Sequence, residues 1–442
     1  MTSDDPAAAG RIERRAFLAS LGGLGLALGA AGRLGDRQLA AGQDTGAGAD
    51  EPTATVPFHG PHQGGIATPP QHHLRFASFD VVGDDRHDLA ELLQAWSAAA
   101  AQLTRGRSLP GLDDDLLAPP TDTGEAIGSG PANLTITFGL GPGLFGRPGR
   151  DRFGLAADRP AALVDLPPFA GDELDPSSSD GDLAVQACAD DPLVAFHAVH
   201  DLIRLASGVA TPRWTQLGFG RTSSTSRQQV TPRNLMGYKD GTNNIATADD
   251  ALMGSQVWVG GEGPAWMQGG TYLVARRIRM RLEKWDRAPL EDQQRTIGRL
   301  KYSGAPLGAV HEFDPVDLEA LDDSGQPVIP AGSHIREAAP ASNGGAHLLR
   351  RGYSFDDGID ATGEQRVGLF FVCFQRDPRR QFIPVQRRLA AADGLNDYTT
   401  HTASAIFACP PGAADGRWVG QELFGSCAGR RPEGRRPRRQ GW

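Results

Sequence analysis

Apolar residues recur along this chain in two rhythms, and the rhythms run through the same alternation twice. His73 to Phe79 has the composition of a strand, and Asp84 to Leu103 follows it with Leu89, Leu92, Leu93 and Trp96 at helical spacing. Asn133 to Phe138 alternates apolar and polar residues as a half-buried strand does. Asp191 to Ser207 then gathers Leu193, Phe196, Val199, Leu202 and Ile203 on one side of a second helix. The pattern restarts at Tyr272 to Met280, where Ile278 and Met280 alternate with Arg277 and Arg279. Glu291 to Leu300 reads as helix, Gly368 to Phe374 as a buried strand, Phe382 to Leu389 as the start of another helix, and Ala405 to Ala408 as a closing strand. Two α+β halves of similar pattern, joined near residue 245, are the organisation this predicts.

The ends of the chain do not share these rhythms. Arg14-Arg15-Ala16-Phe17-Leu18 opens an apolar, Gly/Ala-rich run through Leu28 with small residues to Gly32. That arrangement reads as a twin-arginine export signal over residues 1–31, removed near Ala31, which predicts an extracytoplasmic or secreted protein delivered by the export machinery. Residues 32–56 read as a disordered Gly/Ala/Asp linker, and 428–442, rich in Arg and Pro, as a basic disordered tail. A chain of 442 residues exceeds what one hydrophobic core usually organises, and its 39 % hydrophobic and 22 % charged residues are those of a globular protein. A net charge of -9 argues against a nucleic-acid groove. Cys188, Cys373, Cys409 and Cys427 form no C-x-x-C pair, so neither a zinc ribbon nor covalently attached haem is indicated.

Candidate chemistry starts at MGYKDGTNN, residues 236–244, where Asp240 stands between Gly237 and Gly241. A D-G dipeptide alone is usually a turn, but a glycine there also admits a flat ligand close to the backbone. His197 and His200 lie three apart on a helix, and with no nearby acidic or sulfur ligands taken to complete a site they are assigned to packing or surface. Asp84-Asp85 and Asp113-Asp114-Asp115 are read as caps or solvated loops. Trp258, Trp266, Trp285 and Tyr353 are read first as packing residues, with electron relay as the alternative.

Ordered matches along the chain resolve what Asp240 means. Gly60-Pro61-His62-Gln63-Gly64-Gly65-Ile66, Pro232 to Thr242, Ser303 to Gly308, His334-Ile335-Arg336, Arg350-Arg351-Gly352-Tyr353 and Gly368 to Cys373 occur in one order. In these segments the sequence resembles the dye-decolourising peroxidases, and most closely their exported branch, which includes deferrochelatase/peroxidases. The resemblance implies two ferredoxin-like α+β domains with antiparallel sheets, residues 57–245 and 246–427. It also implies one non-covalent haem b per chain, held chiefly by the second domain, and leaves a homo-oligomer open. Asp240 corresponds to the acid on the peroxide side, with Gly241, Thr242 and Asn243 lining the porphyrin. His334 corresponds to the proximal iron ligand, Asp393 to the carboxylate on its other ring nitrogen, and Leu369 and Phe371 to the haem wall. Arg350 matches the distal arginine better than its neighbour Arg351. Two departures stand out: Ala341 occupies a position where relatives carry an arginine suited to a haem propionate, and His311 is a second histidine without the Ile-Arg that follows His334.

These parts imply a peroxidase that consumes hydrogen peroxide and oxidises bulky aromatic, phenolic or dye-like donors; iron release from haem is the alternative from the same branch. A neutral imidazole whose second nitrogen donates to a carboxylate is a more basic ligand. On the opposite side a base must move a proton and a cation must stabilise developing charge. Carboxylates titrate in the acid range and imidazoles near neutrality, so a carboxylate base predicts dye oxidation that is fastest on the acid side.

Overall fold

The computed structural model describes residues 54–111, 116–146 and 149–425, together with Leu18. The segment expected to be an export signal, apart from Leu18, most of the expected linker, Asp113-Asp114-Asp115, Cys427 and the expected basic tail therefore lie outside the described residues. At the near end of the linker, the Ala54 carbonyl already accepts the Asn133 N–H at 3.1 Å.

Nine strands among the described residues are β1 (His73–Val81), β2 (Thr135–Leu140), β3 (Leu183–Ala189), β4 (Ala210–Arg221), β5 (Thr271–Met280), β6 (Leu349–Arg350), β7 (Tyr353–Ile359), β8 (Gln365–Gln375) and β9 (Thr399–Cys409). The helices that matter for the site are α1 (Arg86–Leu103), α2 (Pro192–Leu205), α3 (Leu290–Ile297), α4 (His334–Glu337) and α5 (Phe382–Ala392). The first half runs β1-α1-β2-β3-α2-β4 with its strands laid side by side as β2-β3-β1-β4; the second runs β5, β7, β8, α5, β9 and is laid out as β9-β5-β8-β7. Read from opposite ends the two orders are the same, and both are ferredoxin-like. All the strand pairings are antiparallel.

The two sheets fuse. Leu140 of β2 pairs with Ala408 of β9, and Phe219 and Arg221 of β4 pair with Ser354 and Tyr353 of β7. Because β5 also pairs with β8, the ring closes into a barrel, which leaves few edges for stray pairing. Strand alternation then sorts side chains to two sides. Leu74 and Phe76 of β1, Leu273 of β5, Phe370, Val372 and Phe374 of β8 and Phe407 of β9 share one cluster from both halves, with Phe76 5.4 Å from Phe370 and 6.1 Å from Phe407. The opposite face of β1, β2 and β3 packs on α1 and α2. Asp85 caps α1 by accepting the His87 N–H at 2.7 Å, and the Trp96 indole on its buried face donates to the Leu202 carbonyl of α2 at 2.8 Å.

The expected strands and helices are all present, with ends moved by a few residues. Four strands had no counterpart in the sequence reading: β3, β4, β7 and the two-residue β6. In β3 every residue is buried, so it shows no alternation, whereas β4 leaves Leu217 and Phe219 exposed.

Candidate active site

The loop after β4 is built on one asparagine. Asn234 accepts the N–H groups of Met236 at 3.1 Å and Tyr238 at 3.3 Å through Oδ1, while its carbonyl accepts the Gly237 N–H at 2.9 Å. Gly237 takes the positive φ of +83° that this turn needs. Arg233 fastens the turn by donating to the carbonyls of Gly237, Lys301 and Tyr302, each at 2.7 Å. Asp240 leaves this turn with its N–H on the Pro232 carbonyl at 2.9 Å. Its carboxylate Oδ1 receives Arg350 Nη1 at 2.6 Å, and Oδ2 receives the Asn234 amide at 3.3 Å.

The residues after Asp240 also have roles within the fold. Gly241 has φ +105°, and a Cβ there would stand 3.0 Å from Ser223 Cα and Ser224 N. Its own backbone and the close passage of the Ser223-Ser224 segment therefore require glycine, whatever else approaches it. The Thr242 hydroxyl donates to Glu312 Oε1 at 3.0 Å, Glu312 also pairs with Lys239, and Asn243 is exposed.

Arg350 lies in β6 opposite Cys373 of β8, so it shares a sheet face with Phe371 and Leu369. Between Val367 and Gln375 every residue of β8 is buried except those two, which stay half-open. Arg351, next in the chain, turns the other way: it is buried, and its guanidinium binds the Thr68 carbonyl and the Gln71 side chain. Asn244, a residue the sequence reading missed, accepts the Arg350 N–H at 2.8 Å and donates to its carbonyl at 2.9 Å.

His334 opens α4. Its Nδ1 stands 2.6 Å from Asp393 Oδ2, and Asp393 Oδ1 accepts the Leu395 N–H at 2.9 Å, which fixes the carboxylate at the end of α5. A Glu337–Arg388 ion pair of 2.6 Å adds a second tie between α4 and α5. Burial disfavours the imidazolium, but the charge of Asp393 and the hydrogen bond to it, with a further pull from Asp240, outweigh burial and hold the His334 pKa above its ordinary value; Arg350 opposes them. His334 thus lies within the fields of both Asp240 and Arg350. The His334 side chain keeps 36 % of its surface open, Arg350 keeps 27 % and Asp240 15 %. The imidazole, the ion pair and the Leu369–Phe371 face thus each keep part of their surface open. A separate cavity of about 540 Å³, bounded among others by Gln256, Tyr272, Arg376 and Gln381, is lined by none of these residues.

The sequence matches the models of the Dyp-type peroxidase N-terminal region over residues 63–220 and of its C-terminal region over residues 231–414. The chain belongs to the Dyp-type peroxidase family. It is 39 % identical over 376 residues to the deferrochelatase of Escherichia coli strain K12, spanning 84 % of this chain and 86 % of that one. A DyP-type peroxidase from Streptomyces coelicolor superposes with a TM-score of 0.78 at 43 % identity, over 85 % of this chain and 98 % of that one. Ferric DtpA from Streptomyces lividans does so with a TM-score of 0.77 at 43 % identity, over 84 % and 98 %. As a Dyp-type peroxidase the protein is a haem-dependent oxidoreductase that takes hydrogen peroxide and an electron donor, and it binds haem non-covalently.

The residues present fit that group. With Nδ1 engaged by Asp393, Nε2 of His334 is the nitrogen left for iron, and Leu369 and Phe371 offer apolar surface to a planar ring. The rival His311 sits on an exposed turn, where its N–H donates to Asp314 at 2.7 Å. Ala341 is exposed and brings no charge to its position.

The aromatic candidates are packed. Trp258 stacks on His62 at 3.7 Å, Trp266 on Phe145 at 5.6 Å, and Trp285 meets Tyr398 edge-on at 4.9 Å, while Tyr353 is buried in the barrel. Cys188, Cys373 and Cys409 are buried free thiols. One reading is overturned: His197 and His200 do have acidic neighbours, because the loop before β2 brings Glu125 within 2.8 Å of His197 and 2.5 Å of His200.

Proposed function

We propose that this peroxidase is exported by the twin-arginine route and oxidises bulky aromatic or phenolic donors with hydrogen peroxide, using His334 as proximal ligand and Asp240 with Arg350 on the peroxide side. The observation that carries this reading is the 2.6 Å Asp240–Arg350 pair set in the same electrostatic neighbourhood as His334. Bound haem supplies the redox chemistry. Asp240 takes a proton from hydrogen peroxide on its carboxylate, and Arg350 Nη1 steadies the charge that the transfer leaves. Asp393 holds the Nδ1 proton of His334 and so raises the basicity of Nε2. Gly241, Thr242 and Asn243 on the loop, with Leu369 and Phe371 on the apolar face, would help to hold the ring.

Anthraquinone-dye bleaching tests this directly. Wild-type protein should bleach the dye only with peroxide, and Asp240→Asn should lose most of the rate while keeping its haem. An Asp240→Asn variant with wild-type turnover removes the proposed role of the carboxylate.

The 39 % identity to a deferrochelatase supports a second reading, iron release from haem. Iron-free porphyrin appearing when the protein is incubated with haem under reducing conditions would favour it; haem recovered intact would exclude it.

A further inference from the structure

Helix α2 carries His197 and Asp201 four residues apart on its buried side, and the loop ahead of β2 presses Asp122 against them. His197 Nε2 lies 3.6 Å from Asp122 Oδ2 and 3.4 Å from Asp201 Oδ2, and one ligand atom from each of the three residues falls within 4.8 Å of the others. Both distances are too long for good N–H···O hydrogen bonds, which span about 2.7–3.2 Å. They suit atoms that share a tetrahedral ion, because bonds of about 2.0–2.2 Å give edges of about 3.3–3.6 Å.

The donors around the cluster sharpen the case. His197 Nδ1 is 2.8 Å from Glu125 Oε2, so with the Nδ1 proton donated there Nε2 turns its lone pair towards the two aspartates. Asp122 accepts the Gly124 N–H through Oδ1 and the Leu109 N–H through Oδ2, both at 2.7 Å. Asp201 accepts the Thr123 N–H through Oδ1 at 3.1 Å, but its Oδ2 has no hydrogen-bond partner although the side chain is 0 % exposed. A buried carboxylate oxygen aimed at a nitrogen lone pair is costly unless something positive stands between them.

We propose that Asp122, His197 and Asp201 bind one divalent first-row transition cation of the zinc class, with Glu125 orienting His197 from behind. Two carboxylates and a neutral imidazole balance a charge of two. A ring nitrogen among three ligands favours this class over calcium or magnesium, which take shells of oxygen. A carboxylate on the far nitrogen is the usual support of a ligating histidine. The ion would tie the Asp122–Glu125 loop to α2, on the first half of the chain. His200, which holds the other Glu125 oxygen at 2.5 Å and is 41 % exposed, marks the rim.

The test uses the haem-loaded, full-length protein without a polyhistidine tag, stripped with a chelator and titrated with Zn²⁺ by calorimetry, with bound zinc counted by elemental analysis. One zinc per chain is expected, Asp201→Asn should abolish the site, and Glu125→Gln should weaken it about 10- to 100-fold. The haem absorption band should be unchanged in both variants. Because Asp201 is buried and its variant can fail to fold, X-ray absorption on the wild-type zinc complex gives a second measure: one nitrogen with oxygens at about 2.0–2.2 Å is expected. No zinc uptake, the same stoichiometry and affinity in Glu125→Gln, or a multi-histidine or sulfur shell would overturn the proposal.

Discussion

Asn244 grips the main chain of Arg350 from both sides, accepting its N–H at 2.8 Å and donating to its carbonyl at 2.9 Å. This clamp, reinforced by the Asn244 amide on the Ser224 carbonyl at 3.0 Å, fixes where the guanidinium meets Asp240. Asn244→Ala should therefore lower kcat for dye oxidation about 10- to 100-fold while haem content stays at the wild-type level, because a small misplacement of a catalytic group is enough for such a loss. Steady-state kinetics beside a haem assay checks it.

Asp393 places a negative charge on the Nδ1 side of His334. Asp393→Asn keeps the shape and removes the charge, so the ferric/ferrous potential should rise and turnover should fall about 10- to 100-fold. Spectroelectrochemistry reads the first effect. An unchanged potential would separate Asp393 from the electronics of the ligand.

Haem uptake should tighten as pH rises. The folded haem-free protein holds the His334 pKa above 6.5, chiefly because Asp393 outweighs the effect of burial. The ion pair's contribution to stability is thus complete below the unfolded value near 6.5 and is lost as pH climbs through the raised one. Ligation takes the neutral ring, so binding releases this proton across the same window. Haem titrations from about pH 6.5 upward should show affinity increasing, and Asp393→Ala should move the dependence to lower pH.

Much of the fold was legible because its helices bury clean stripes: Leu89, Leu92, Leu93 and Trp96 are all in the core. β3 was not, since a strand covered on both sides loses its period, and β4 was not, since it exposes apolar Leu217 and Phe219. Closure of the two halves into one barrel rests on pairings such as Phe219 with Ser354, which no local pattern encodes. At the site, short motifs singled out Asp240, His334 and Arg350 because each sits in its own signature. The Asn244 clamp and the Glu125 neighbour of His197 were hidden for the opposite reason: the partners lie 106 and 72 residues away in the chain and meet only through the fold; Asp201, four residues from His197 on the same helix, was in view and overlooked.

Buried charge elsewhere gives a stability prediction. Arg276, 1 % exposed on β5, pairs with Asp172 and reaches Ser404 Oγ at 3.1 Å and His401 Nδ1 at 3.2 Å. Burial, with the charge of Arg276, pushes the His401 pKa down to about 3, so His401 stays neutral beside the guanidinium, and Asp172→Ala removes the carboxylate paired with it. A loss of about 3–5 kcal/mol in urea unfolding is expected.

On the proposed reading, His334 grips the haem from one side and Asp240 and Arg350 serve it from the other. The absorption spectrum of His334→Ala, purified beside wild type from haem-supplied cells, tests it most directly. A lost or displaced Soret band with collapse of peroxide-dependent dye oxidation is the predicted result; a wild-type spectrum and wild-type turnover would contradict it.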